Sequence, residues 1–218
     1  FHGQAMVDLL GAFAPIFSAE RAQKGMSQLA GKQGQKIAAD CVTIVDTPDH
    51  PQLGPGLPFD GEGVPTGVHT LVDHGVLKTL LYSLSSAKQD GVQSTGHGRR
   101  GYSGQVTIAP HVFTVQPGTQ TLAELCAQAG HGVVIYEVSG LHAGVNDVSG
   151  DFSLLCKGRL IENGAEGRAV EQMVVSGNFF AMLQAITALG NDTQYSIPGG
   201  SCYASPSVYV KELAIAGN

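Results

Sequence analysis

Histidines are the residues of this chain best suited to acid–base or metal chemistry near neutral pH, so their spacing is the first evidence on function. The 218-residue chain contains eight, and none forms a His-x-His or His-x-x-x-His pair. Spacing alone therefore indicates no two-histidine metal site. His142 opens a polar loop that runs to Asp151, and His97 stands between two glycines beside two arginines. We take His142, Asp151 and His97 as the candidate substrate-binding residues.

Each candidate also has a structural interpretation. The acidic and amide residues that follow His142 are the types that form Asx turns and cap helices or strands. His97 fits a solvated loop histidine as well as a residue that contacts a substrate carboxylate. Other kinds of site lack their patterns: there is no Gly-x-Ser-x-Gly nucleophile turn and no Gly-x-x-x-x-Gly-Lys phosphate loop.

Turn residues and apolar runs predict how the candidate loop is held. The segment 140–151 is rich in glycine, asparagine, aspartate and serine, which tolerate unusual backbone angles. A strand over Asp151–Glu162 follows, and Asn163-Gly164 is a strong hairpin signal before the chain returns through Ala169–Val175. Asp73-His74-Gly75 predicts a second hairpin, between Val68–Val72 and Val76–Tyr82.

Helical periodicity predicts an amphipathic helix over Ala5–Ala14, which Pro15 should end. A late helix is predicted over Asn178–Leu189, stopped by Gly190. Shorter helices are predicted at Ser83–Gln89 and at Thr121–Ala129, the second with Thr119 as N-cap. Further strands are predicted at Ile37–Val45, at Val106–Val115 with a break at Pro110, at Gly132–Val138 and at Val208–Ile215, and loops at 18–34, 47–63 and 91–104. The expected fold is α+β and predominantly antiparallel β, with an N-terminal helix and a late helix packed on the sheet.

Composition narrows the class of protein. Hydrophobic residues make up 43% and charged residues 14%, which excludes a disordered chain. The net charge of −6 and the scarcity of clustered lysine and arginine argue against direct nucleic-acid binding. Four cysteines without a Cys-x-x-Cys pair suit a reducing cytosol, and no apolar run reaches the ~20 residues that span a bilayer. We therefore expect a cytoplasmic protein without a membrane partner.

Several short motifs, in order along nearly the whole chain, resemble the carboxyl-terminal domain of the TldD/PmbA family. They are Phe59–Thr66, Asp73–Lys78, Ser94–Arg100, Val148–Ser153, Ile161–Gly164, Val175–Asn178, Gly190–Asp192 and Leu213–Gly217. That family was named for modulators of DNA gyrase and is associated with metallopeptidase activity. The resemblance implies one such domain over residues 1–218, with the family's amino-terminal domain missing from this chain.

The resemblance also implies where a metal would bind. In catalytically competent members, a helix carries His-Glu-x-x-x-His and a cysteine near the carboxyl end completes a zinc site. The corresponding stretch here is His2-Gly-Gln-Ala-Met-Val7, so His2 and Cys202 match, whereas Gly3 replaces the glutamate and Val7 the second histidine. The metal candidates are therefore His2 and Cys202, without a general base, and we expect zinc in a partner subunit more readily than in this chain.

Three functional hypotheses follow. In the first, the chain is a PmbA/TldE-type subunit, non-catalytic by itself, that works on peptides with a TldD-type partner or a second copy of itself. In the second, it is an active metallopeptidase with a non-standard site built from His2, Cys202 and a residue such as Asp8. In the third, it is a stand-alone peptide-binding or regulatory module. In the oligomer, the loop 141–151 is expected near a cavity that the subunits share or that is open to peptide.

Overall fold

The computed structural model describes residues 1–52, 54–102, 104–197 and 199–217. Helices and strands are mixed, and all strand neighbours but one pair run antiparallel, so the predicted α+β class is confirmed. Among the described residues, no helix is long and apolar enough to cross a membrane.

The helices are α1 (Gly3–Phe13), α2 (Ala19–Gln23), α3 (Leu84–Asp90), α4 (Leu122–Ala129), α5 (Leu141–Gly144) and α6 (Phe179–Gln184), with a 3₁₀ segment at Ala14–Phe17. The strands are β1 (Ile44–Thr47), β2 (His69–Asp73), β3 (Val76–Leu77), β4 (Gly98–Arg100), β5 (Val106–Ile108), β6 (Val112–Val115), β7 (Gly132–Ser139), β8 (Asp151–Glu162), β9 (Ala165–Asn178), β10 (Ile186–Leu189), β11 (Gln194–Tyr195), β12 (Cys202–Ser205), β13 (Val208–Val210) and β14 (Ala214–Ala216).

Two sheets carry most of these strands. The larger has six, in the order β11-β12-β6-β1-β2-β3, and its single parallel pair is β12 with β6. The second has four, in the order β14-β9-β8-β7, and contains the long β8–β9 hairpin. Two further pairs, β10 with β13 and β4 with β5, complete the sheet structure of the described chain.

Helix α1 connects the two sheets, because it packs against β12 of the larger sheet and β7 of the smaller one. Its predicted apolar stripe is fully buried, and Phe13 stacks on Phe179 with ring centroids 4.3 Å apart. Burying each such side chain contributes about 1.5–3 kcal/mol. The predicted end is confirmed as well: α1 stops at Phe13, and Pro15 lies in the 3₁₀ turn that follows.

The late helix is shorter than the sequence predicts. Asn178 caps it, and its side-chain oxygen accepts hydrogen bonds from the backbone N–H groups of Phe180 and Ala181, but the helix ends at Gln184. The stretch Ile186–Leu189 is a strand paired with β13, so the second half of the prediction is wrong. Its β-branched residues and an available partner strand favour the extended form, although the apolar spacing also fits a helix.

Both predicted hairpins are confirmed. Asn163 and Gly164 have φ angles of 53° and 79°, and His74 and Gly75 have 46° and 80°. Two successive residues with positive φ are the signature of the tight turns that match strand twist.

Other boundaries needed correction. The strand predicted at Ile37–Val45 begins only at Ile44, and Val76–Tyr82 is a strand only over its first two residues. The strand predicted at Val208–Ile215 is two short strands, and the loop at 91–104 contains β4. Helix α4 is capped by Thr121, not Thr119, because Thr121 and Glu124 form a capping box.

The turn at Gly75 gives a test of this packing. Gly75 and Gly63 share a φ of 80°, but a Cβ at Gly75 would overlap the backbone oxygen of Ala38, whereas a Cβ at Gly63 meets nothing within 4 Å. Alanine at either position costs about 1–2 kcal/mol for its backbone angle. We expect Gly75→Ala to cost a further ~1–3 kcal/mol of unfolding free energy for the overlap. Urea denaturation measures both variants, and equal losses would contradict the close approach.

Candidate functional site

His2 lies at the N-cap of α1, where the family's first zinc ligand is expected. Its Nδ1 accepts a hydrogen bond from the backbone N–H of Gln4 at 3.3 Å, and its ring stacks on Tyr136 at 4.7 Å between centroids. Burial lowers the pKa of His2 below its ordinary value, and the charge of Asp192 opposes that shift. The imidazole therefore caps a helix and packs on the smaller sheet.

Cys202 begins β12 and points away from α1. Its register partner is Val112, while the next residue, Tyr203, pairs with Phe113. Successive strand residues face opposite sides of a sheet, and the Tyr203 ring lies under Gly11 of α1, so the Cys202 thiol is on the other side. Its sulfur lies 3.7 Å from Ser196 Oγ. Cys202 is buried in a small polar turn, apart from the helix.

His2 and Cys202 do not fit a zinc site. The residues that contact His2 and those that contact Cys202 do not overlap. Two protein ligands are also too few to hold zinc. Among the described residues, the close group of three metal-ligating side chains contains neither. The glutamate position is also closed: a Cβ at Gly3 would lie 2.7 Å from the backbone oxygen of Ser205 and 2.8 Å from Gln194 Cγ.

His142 lies on α5 and is exposed. It borders an open depression of about 440 Å³ that Asp8 and Asp147 also line. Burial, and then the nearby charge of Glu137, raises the pKa of Asp8. Asp147 is paired with Arg21 at 2.6 Å. The predicted substrate-binding role of His142 stays a prediction, and the open depression lies beside this residue.

Asp151 does not border that depression and is held by its own loop. Its carboxylate accepts hydrogen bonds from Asn178 Nδ2 at 2.9 Å and Ser149 Oγ at 2.8 Å, which lower its pKa. Nearby, Asn146 Oδ1 accepts from the backbone N–H groups of Val148 and Ser149. These are the turn and capping contacts offered above as the alternative to substrate binding, and a substrate contact by Asp151 stays a prediction.

His97 is buried, with 1% of its surface exposed, so the solvated-loop interpretation is wrong. Its Nε2 lies 2.7 Å from Asp46 Oδ2, and its Nδ1 lies 2.8 Å from Thr95 Oγ1. Asp46 is itself fully buried. Both ring nitrogens therefore have protein partners, and contact with a substrate carboxylate stays a prediction.

His97 belongs to a buried polar cluster that sequence analysis did not assemble. The backbone N–H of His111 donates to both oxygens of Asp46, at 3.0 and 3.2 Å, and the rings of His97 and His111 are 4.8 Å apart. One ligand atom from each of Asp46, His97 and His111 lies within 4.8 Å of the others. His69, the register partner of Asp46 on β2, has its ring 5.3 Å from that of His97.

The cluster went unnoticed because its members are far apart in sequence. Asp46 is 51 residues before His97, and the predicted strand stopped at Val45, one residue short of it. A charged residue at the end of a short apolar strand was the available signal, since burying a carboxylate requires partners. Pairing of β1 with β2 and β6 brings His69 and His111 to it, and the segment just before β4 brings His97.

Three loops meet the larger sheet at the same end as this cluster. They are the described parts of residues 48–68, of residues 96–111, which include the β4–β5 pair, and of residues 196–201. They contact one another: the N–H of Gly61 donates to Gly98 O at 2.6 Å, and Ser201 Oγ donates to Pro110 O at 2.7 Å. Large apolar side chains on or beside these loops are exposed to solvent, namely Leu57, Phe59, Val68, Tyr102 and Ile197.

Comparison with known proteins gives a consistent result. A family model described as the PmbA/TldA metallopeptidase C-terminal domain matches residues 1–217. A metalloprotease PmbA homologue of Haemophilus influenzae is 29% identical over all of this chain and 45% of its own length. An uncharacterised protein of Methanocaldococcus jannaschii is 31% identical over 88% of this chain and 45% of its own length.

Solved structures agree with these relatives. A Thermotoga maritima protein, named as a proposed modulator of a DNA gyrase, superposes with a TM-score of 0.91 and 41% identity over 99% of this chain and 48% of its own. TldE from Thermococcus kodakarensis superposes with a TM-score of 0.89 and 29% identity over 100% of this chain and 49% of its own. The chain thus spans less than half the length of the proteins it matches.

Proposed function

We propose that this chain, which belongs to the PmbA/TldD metallopeptidase family, forms part of a PmbA/TldE-type subunit that assists peptide hydrolysis without cutting peptides itself. The catalytic zinc would be held by a TldD-type partner. The names of the relatives support the peptidase system, and the likeness to a TldE structure supports the subunit type.

The start of α1 is the observation that carries this proposal. A hydrolytic zinc site needs ligands around the ion and a base that activates water. Gly3 stands at the base position, and the helix is packed so closely on β12 there that no side chain has room. Val7, at the second ligand position, is 1% exposed and belongs to the apolar core. This packing supports a subunit that does not hold the catalytic zinc at the start of α1.

Peptide contact is proposed for the surface of the chain. The exposed apolar side chains on the three loops at the end of the larger sheet offer area that an extended peptide or a partner subunit would bury. The depression beside His142 offers a polar contact at a second place. Association with a TldD-type subunit, or with a second copy, would cover part of these surfaces.

The first test is a reconstitution. The purified chain alone should hydrolyse an unstructured peptide no faster than buffer, because the start of α1 lacks both the second histidine ligand and the glutamate base. Mixed with a family member that retains His-Glu-x-x-x-His, it should co-migrate in size-exclusion chromatography and raise that partner's rate. Metal-dependent cleavage by the chain alone would favour a non-standard metallopeptidase. Peptide binding without any association would favour a stand-alone module.

The second test asks whether α1 can regain a carboxylate at the position of the base. Gly3→Glu should lower the unfolding free energy by about 1–3 kcal/mol through overpacking against Ser205 and Gln194, and the chain should stay inactive. Gln4→Glu is the matched control, since it adds the same charge to the exposed face of the same helical turn, where a carboxylate is favourable. Equal stability of the two variants in urea would mean that α1 and β12 leave room for a side chain at position 3.

The third test concerns His142 and uses the reconstituted mixture. His142→Ala should lower the partner-dependent rate about two- to tenfold, the loss expected for one hydrogen bond of about 0.5–1.5 kcal/mol. His131→Ala is the control, because His131 is also exposed but precedes β7, whereas His142 follows it. Rates that fall equally, or not at all, would remove His142 from the substrate-binding surface.

A further inference from the structure

We propose that Asp46, His97 and His111 bind one divalent transition-metal ion, at a position distinct from that of His2 and Cys202. The inference rests on the arrangement of these three side chains and is independent of the proposed function. Their ligand atoms lie within 4.8 Å of one another at one end of the larger sheet.

The donor set selects the kind of ion. Two imidazoles and one carboxylate suit zinc, cobalt, nickel or ferrous iron, whereas calcium and magnesium prefer all-oxygen sites. Three protein ligands leave at least one coordination position open. In the described part of the chain, Asp46 and His97 are fully buried and His111 is half-buried, so an ion there would be shielded on most sides.

The contacts behind the ligands are those that orient metal-binding histidines. Such a histidine usually donates its second ring N–H to a carbonyl or a similar acceptor, which leaves the first nitrogen free to bind. His111 Nε2 lies 2.9 Å from the backbone oxygen of Gly96, so that nitrogen carries the proton and Nδ1 keeps its lone pair. The backbone N–H of His111 holds the Asp46 carboxylate in place.

His97 can change tautomer when an ion binds, so that its proton moves from Nε2 to Nδ1. Without an ion, we assign the proton of His97 to Nε2, which lies 2.7 Å from Asp46 Oδ2, because a carboxylate only accepts. In that tautomer the Thr95 hydroxyl, 2.8 Å away, donates to His97 Nδ1. With an ion, the metal takes the place of the Nε2 proton, and that proton is carried on Nδ1 instead. Nδ1–H then donates to Thr95 Oγ1, and the hydroxyl turns to Tyr82 O, 3.3 Å away. No proton is released, and every polar group keeps a partner.

The required movement is small. Ligand atoms around a tetrahedral ion with bonds of 2.0–2.1 Å are about 3.3 Å apart. The Nε2–Oδ2 distance of 2.7 Å must open slightly, and separations of up to 4.8 Å must close. Rotation of the two rings would supply both changes, while β1 holds the backbone of Asp46 and the start of β6 holds that of His111. His69, whose ring lies 5.3 Å from that of His97, is the nearest further imidazole.

The test uses the 218-residue chain, stripped of metal with a chelator and titrated with Co²⁺ and, separately, Zn²⁺. We expect one ion per chain, visible Co²⁺ absorption typical of a low coordination number, and shifts in the ¹⁵N signals of His97 Nε2 and His111 Nδ1 on adding Zn²⁺. His97→Asn should weaken binding at least tenfold, and Thr95→Val, which removes the hydroxyl partner, about 10- to 100-fold. His2→Ala and Cys202→Ala are the controls and should bind as the unmodified chain does.

The NMR measurement decides the matter if the buried variants do not fold, because it needs only the unmodified chain. Failure to bind either ion, or unchanged signals from His97 and His111 on binding, would overturn the proposal and leave the cluster as a hydrogen-bonded support for the sheet. Loss of the ion in His2→Ala or Cys202→Ala would overturn it too, and would return the metal to the position that the family resemblance implies.

Discussion

The close packing of α1 on β12 is the constraint on which the rest of this structure depends. Glycines at positions 3 and 11 let the helix backbone approach Ser205 and the Tyr203 ring within van der Waals contact. From that position the apolar stripe of α1 reaches both sheets, and Phe13 stacks on Phe179 in the core between them. A larger residue at position 3 would separate the helix from β12 and disturb the main core. The glutamate that the family resemblance implies at position 3 would overlap the backbone oxygen of Ser205.

A cluster of buried and half-buried polar side chains, Asp46, His97 and His111, lies at one end of the larger sheet. Asp46 is fully buried, and an unpaired carboxylate there would cost several kcal/mol. Hydrogen bonds from His97 and His111 satisfy it, and Thr95 and Gly96 in turn satisfy those imidazoles. The network links β1 and β6 to the loop over residues 94–98. The loops above it are therefore anchored in the sheet, although they expose apolar side chains.

The sequence predicted local features well and long-range pairing poorly. The turns at His74-Gly75 and Asn163-Gly164 and the end of α1 at Pro15 depend on a few adjacent residues, and all were correct. The late helix failed at Ile186, because pairing with Val208–Val210 overrode an apolar spacing that also fits a helix. The Asp46 cluster could not be assembled for the same reason: its members meet through the pairing of β1 with its neighbours and through a contact between residues 51 apart. The family resemblance implied His2 and Cys202 as metal ligands. It did not reveal that their side chains have different neighbours.

The start of α1 and the Asp46 cluster differ in how well they are arranged to bind an ion. At the start of α1, where chemistry is expected from the family, the backbone is close-packed and His2 serves as a cap stacked on Tyr136. At the end of the larger sheet, imidazoles and a carboxylate stand together with hydrogen-bond partners that orient them. Preorganised metal ligands need packing and hydrogen bonds that fix the orientation of their side chains. The imidazoles and the carboxylate at Asp46 have such partners, so ion binding by this chain is expected beneath the three loops and not at the start of α1.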